Sequence, residues 1–309
     1  MESNPLALPY HTRESAAANA KTVFEYLGCA ADDVACMRTK SVAEVLDAQS
    51  NAIKLDLNTM LLNFLPFAPM VEVGGEIPEQ PLTALHGGRM AAMPVLSGSM
   101  YDEGQLFVYE LFTKPLTEAQ YKGVVEGVFG SKPARQILKM YPFDIVPNNT
   151  DGRNTLNVLS TDLLFYCPLR NITRGYSAKL GTSTVPTHMY RFKHVISFDC
   201  WGANYTFCVG TVCHGSELPF VFNVFSAGDS ISYDPTKDEL TLMEDLSNAW
   251  TNFIVSGDPN TGLSIPLKYP QYFPAEDSLM VLEEPGGGET QAHVRETYCD
   301  MWDELGYFY

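Results

Sequence analysis

The residues best suited to acid–base chemistry are a few histidines and acids whose neighbours give them room to act. His214 stands inside Cys208–Phe222, CVGTVCHGSELPFVF, between a cysteine and a glycine. Imidazole is the side chain whose ordinary titration lies nearest neutral pH, so a histidine on a glycine-flanked loop is a candidate general base. A hydrogen-bonded structural histidine would look the same locally, and both readings stand at this point. Asp102 and Glu103 follow an apolar run, MPVLSGSM, and open the motif YDEGQ. Acids just beyond the carboxyl end of a buried strand lie where open α/β sheets build their sites, although acidic turns are common as well. Seven cysteines, at 29, 36, 167, 200, 208, 213 and 299, show neither CxxC nor HExxH spacing, so no metal site is expected.

Those residues need elements to hold them. Glu14 to Leu27 is alanine-rich, with Ala20, Val23, Phe24 and Leu27 on one face and Gly28 as a stop, which predicts a helix. Ser41 with Glu44, Thr117 with Gln120, and Thr236 with Glu239 have the spacing of capping boxes and predict three more helix starts. The last of these opens the clearest helix, Thr236 to Ser256, with Met243, Leu246, Trp250 and Phe253 as its apolar face and Gly257 as its stop. PLTALHGG predicts a brief helix in which His86 sits near the C-terminal end, and Arg153 to Arg174 predicts one continuous helix carrying Cys167. Strands are predicted over Met93–Met100, Thr187–Ser197 and LMVLEE, with His188 and His194 in structural positions on the second. The opening MESNPLALPYHTR reads as extended chain with no strand or cap to begin a fold.

Composition sets outer limits. A net charge of −17 repels phosphate backbones and anionic lipid surfaces, so nucleic acid is not an expected partner. No apolar run approaches the roughly 20 residues of a spanning helix, and the first thirty residues lack a signal-peptide pattern. Sequons at Asn148 (NNT), Asn171 (NIT) and Asn204 (NYT), together with the cysteines, point to the secretory route and to glycosylation.

Several separate stretches then resemble one family, the type-B carboxylesterases that include the cholinesterases. They are ESNPLALP, the Cys29/Cys36 hairpin, FAPMVEVGGEIP, PVLSGSMYDEG, FYCPLR, CHGSELPFVF, AWTNFIVSGDPN and CDMWDELGY, in family order along nearly the whole chain. The resemblance implies an α/β-hydrolase fold, of which residues 1–309 would form one partial domain: the carboxyl-terminal portion, with the last strands of the sheet and their helices. It implies a small carboxylic ester as substrate, no cofactor, Glu103 as the acid and His214 as the base of a Ser-Glu-His triad, and Glu217 as an acid close behind the histidine. Asp102 is the alternative acid. In such a triad the carboxylate orients the imidazole and stabilises its charged form while the ring takes the nucleophile's proton. The resemblance also pairs Cys29 with Cys36 and Cys167 with Cys299, and leaves Cys200, Cys208 and Cys213 as a departure from the cholinesterase pattern. For these three, the favoured reading is a bridge that encloses Asn204.

The larger departure is an absence. No G-x-S-x-G occurs in the 309 residues, and the glycine-rich oxyanion loop is missing too. Both are expected before Met1 in a longer protein, so this chain alone is expected not to hydrolyse esters. A non-catalytic, neuroligin-like adhesion member is the alternative, although such a protein has no chemical need of both Glu103 and His214.

Overall fold

Capping chemistry sets most helix starts in the computed structural model, which describes residues 1–52, 60–180, 185–224, 234–284 and 287–307. The helices α1 (Arg13–Tyr26), α2 (Val34–Met37), α3 (Val42–Asn51), α4 (Met60–Asn63) and α5 (Pro81–His86) precede the first strand, β1 (Val95–Met100). Next come α6 (Glu103–Leu111), α7 (Glu118–Phe129), α8 (Ser131–Met140), α9 (Gly152–Ser160) and α10 (Cys167–Leu180), then β2 (Thr187–Phe192). The chain ends with α11 (Leu218–Val221), α12 (Lys237–Ser256), β3 (Ser278–Glu284), β4 (Gly287–Ala292) and α13 (Glu296–Leu305). The boxes of Ser41 with Glu44, Thr117 with Gln120 and Thr236 with Glu239 are all closed in both directions. Each satisfies two backbone donors that would otherwise be orphaned at a helix start.

The strands form one sheet in the order β1-β2-β3-β4. β1 and β2 run parallel from Val95↔Thr187 to Met100↔Phe192, β2 and β3 run parallel, and β4 turns back antiparallel on β3. Alternation along the strands feeds two cores. Met189, Leu279 and Val281 point into the larger one, shared with α5 to α10 and α13. Leu96, Met100, Tyr190, Phe192, Met280 and Leu282 point into the other, under α11 and α12. A sheet covered on both faces explains why β2 is buried along its whole length. Where β1 meets β2, a Cβ on Gly98 would lie 2.3 Å from the Tyr190 ring, so only glycine fits there. A third, small cluster gathers Val23, Leu27 and Ala48 around the Cys29–Cys36 disulfide, and Cys167–Cys299 ties α10 to α13.

Several expectations change. The opening residues do join the fold: Glu2 bridges Gly98 in parallel, with Ser3 N donating to Gly98 O at 2.9 Å and Gly98 N to Met1 O at 3.0 Å, so they line the outer edge of β1. The continuous helix expected over Arg153–Arg174 is instead α9 and α10 joined by a wider turn, Thr161–Tyr166, whose six residues are all buried. Such one-turn widenings insert an extra residue into the helix and re-aim the side chains around it. α8 and β4 have no counterpart in the sequence reading.

Candidate active site

β1 ends at Met100, and three residues later Glu103 begins α6 fully buried. Its Oε1 accepts from Met100 N at 2.7 Å, which holds the carboxylate against the end of the strand. Oε2 lies 2.6 Å from His214 Nδ1. The next residue must be glycine: a Cβ on Gly104 would come 2.0 Å from Ser160 Oγ and 2.6 Å from Asn157 O, because α6 packs directly on α9. Gly104 N then donates to Thr161 Oγ1 at 2.9 Å, so the wider turn after α9 anchors the start of α6.

His214 is the residue after Cys213, on the turn that leads into α11. Its ring packs against Phe107 and Phe165, with centroids 5.1 and 5.4 Å away, and its side chain keeps 32% of its accessible surface. With Nδ1 on Glu103 as the donor, Nε2 is left as the basic nitrogen, and no described residue hydrogen-bonds it. His194 makes an instructive contrast. It also meets a buried carboxylate, Glu239 at 3.1 Å, but its second nitrogen lies 3.2 Å from Glu283 O, so both ring positions are engaged. His11 is likewise held at both nitrogens, by Ser15 and by Leu65 O. Among the described histidines only His214 combines a buried carboxylate on one nitrogen with an open edge on the other.

Asp102, the alternative acid, faces elsewhere: Oδ1 accepts from Asn157 Nδ2 at 3.0 Å and Oδ2 from Val212 N at 3.2 Å. Glu217 is 1% exposed, and its Oε2 has no hydrogen-bond partner. Burial, with the charge of Glu103 adding to it, pushes its carboxyl up to about 8. The neutral acid is thereby favoured near neutral pH, and no hydrogen bond links Glu217 to His214.

Cysteine pairing corrects one expectation. The structure joins Cys208 to Cys213, directly before His214, and leaves Cys200 as a half-buried free thiol, so no bridge encloses Asn204. The sequons also divide. Asn148 and Asn204 are exposed on loops, whereas Asn171 lies in α10 with its amide nitrogen donating to Asp303 at 2.8 Å. Asp277, His293 and Glu296 bring ligand atoms within 4.8 Å of one another. Asp277 is already bound by Arg170, Arg174 and Tyr272, so guanidinium charge fills the place a cation would take.

Phe107, Phe165, Asn157, Thr161 and Gln105 support the site but escaped the sequence reading. Only the glycine of DEG hinted that a second helix lies so close. No described helix is long and apolar enough to cross a membrane.

Comparison with known proteins gives this geometry a family. The chain is 34% identical to the cAMP-regulated D2 protein of Dictyostelium discoideum over 91% of its own length and 50% of that protein. It is 25% identical to the acetylcholinesterase of Bungarus fasciatus over 88% of its length and 44% of that enzyme's. A solved structure of a PNB esterase superposes on 97% of the chain and 56% of its own with a TM-score of 0.68 at 22% identity, which makes the sheet and its helices part of an α/β-hydrolase fold. The chain thus spans about half the length of the relatives it matches. The sequence model of the carboxylesterase family matches residues 1–302, and the chain belongs to that family.

Proposed function

We propose that the full-length protein hydrolyses carboxylic esters by a Ser-Glu-His mechanism, with Glu103 as the triad acid and His214 as the general base. The observation that carries this reading is the 2.6 Å contact between His214 Nδ1 and a fully buried Glu103, with the opposite ring edge open. Glu103 holds the tautomer in which Nδ1 carries the proton and stabilises the imidazolium that forms. Nε2 takes a proton from the nucleophile and returns it to the leaving alcohol. Phe107 and Phe165 shield the ion pair from water and so strengthen it.

No G-x-S-x-G stands in the 309 residues, and the serine and the oxyanion donors are proposed to lie on a segment outside them. Residues 1–309 would then be one partial domain of that enzyme. Three disulfides favour an oxidising, secretory environment, with Asn148 and Asn204 as the glycan acceptors.

In the full-length protein, hydrolysis of a p-nitrophenyl ester should fall on the order of 10⁴- to 10⁶-fold in kcat for His214→Ala, and the isolated chain should give no acyl-enzyme burst. A burst from the isolated chain, or full activity in His214→Ala, would overturn the assignment. A full-length protein with no esterase activity that captures a protein partner would favour the adhesion reading instead.

A further inference from the structure

His214 ends a long, sparsely structured connection. Between β2 and α11 lie 25 residues whose regular structure among those described is a single 3₁₀ turn, Thr206–Cys208. A connection of that length samples many conformations unless it is tied down, yet His214 must meet Glu103 within a few tenths of an ångström. His194 and Ser197 fasten its start to Glu283 and Glu239. Near the histidine two further sets of contacts tie it: hydrogen bonds to Asp102 and Gln105 at the start of α6, and a disulfide that ends on Cys213, the residue before His214.

The first is Asp102. Its backbone N donates to Val212 O at 3.0 Å, and its Oδ2 accepts from Val212 N at 3.2 Å. Its Oδ1 accepts from Asn157 Nδ2 at 3.0 Å, so one carboxylate spans the histidine loop and α9. Gln105, one turn further along α6, donates from Nε2 to Phe207 O at 3.0 Å. The second is the Cys208–Cys213 disulfide, fully buried at both sulfurs, which closes the loop between those two anchoring points. The histidine loop is therefore closed on itself and latched to the start of α6 on either side of Glu103.

We propose that Asp102 and the Cys208–Cys213 disulfide are positioning residues that set the Glu103–His214 hydrogen bond. The consequence for catalysis rests on the functional reading above; the positioning itself does not. Glu103 is fixed from the strand side by Met100 N, and the clamp fixes His214 from the other. Asp102, next to the triad acid, thus acts through the loop rather than on the imidazole.

The test uses the full-length protein with ¹⁵N-labelled histidine. A Glu103-bound Nδ1 proton should give a low-field proton resonance in the parent protein. The double variant Cys208→Ser/Cys213→Ser and Asp102→Ala should each lose or broaden it, and kcat for a p-nitrophenyl ester should fall about 10- to 100-fold with KM changed less than threefold. Asp102→Asn keeps one acceptor oxygen for two donors, so it should fold and show an intermediate loss. Cys29→Ser/Cys36→Ser opens the distant disulfide and should leave the resonance in place. An unchanged resonance in Asp102→Asn and in the disulfide variant overturns the proposal. If the clamp variants lose the resonance in a protein that hydrolyses no ester, the clamp stands and the functional reading falls. If esterase activity is present and unchanged in the clamp variants, the clamp falls and the functional reading stands.

Discussion

Glu217 and Glu239 are both buried acids, and their surroundings drive them in opposite directions. Around Glu217 burial dominates, Glu103 adds like charge, and the carboxyl rises to about 8. Around Glu239 burial would also raise the carboxyl, but hydrogen bonds from Ser197, the Thr236 backbone and His194 outweigh it and hold the group at about 2. The signs differ accordingly. Glu217, raised in the fold, contributes stability that is complete below its unfolded value near pH 4.3 and is lost as pH rises through about 8. Glu239, depressed in the fold, contributes stability that is present above pH 4.3 and is lost as pH falls towards about 2. Glu217→Gln should therefore match the parent protein near pH 4 and exceed it by roughly 3–5 kcal/mol at pH 9. Urea midpoints at both pH values measure this, and parallel curves for the two proteins would show that Glu217 is not held neutral. At this scale the sequence showed which residue types could act and, through the family resemblance, which pair to expect. It did not show the protonation of Glu217, because that follows from burial and from a second carboxylate 114 positions away along the chain.

Helix packing beside the site turns on one missing methyl group. α6 can rest on α9 only because Gly104 has no Cβ to meet Ser160 Oγ and Asn157 O. Gly104→Ala should push the two helices apart, break the Gly104–Thr161 hydrogen bond and cost about 2–4 kcal/mol, with loss of the Glu103–His214 contact. Gly123→Ala, in the middle of α7 with open space around it, should instead gain about 0.5–1 kcal/mol. Thermal unfolding of the two variants checks the pair, and equal effects would contradict the packing account. Helices announced by a capping box were legible because the signal is local. α8 was not, since its N-cap is Gly130 with no side-chain hydrogen bond and its run carries Lys132, Arg135 and Lys139 around a two-residue buried stripe, Ala134 and Ile137. β4, GGETQA, has no apolar alternation and becomes a strand only because β3 pairs with it. The Cys208–Cys213 pairing was hidden for a similar reason: the 3₁₀ turn at Thr206–Cys208 and the Asp102 latch bring the two Cα atoms to 5.6 Å, and spacing alone does not encode either.

On the scale of the whole molecule, β1 forms one of the two outer edges of the sheet. Among the described residues Met1 to Ser3 pair along it, and beside them opens a largely apolar cleft of about 320 Å³ lined by Met90, Met93, Leu96, Ile172, Tyr176 and Phe253. On the same helix as Phe253, Ile254 and Val255 are about 80% exposed and add apolar surface of their own. Strand edges and exposed apolar side chains promote association between copies. The net charge of −17 opposes it by repulsion that salt screens over a Debye length of about 10 Å at 0.1 M. The two effects separate by ionic strength. The isolated 309-residue chain should sediment mostly as a monomer at low salt and shift to larger species as salt rises to about 0.5 M, because screening removes the repulsion while apolar burial is unaffected. Replacing Ile254 and Val255 by lysine should suppress the shift, since both side chains are exposed and contribute little to the core beneath α12. Sedimentation velocity at two salt concentrations decides it: a monomer at every concentration and salt would mean that the β1 edge and its cleft are sufficiently covered by Met1 to Ser3 alone.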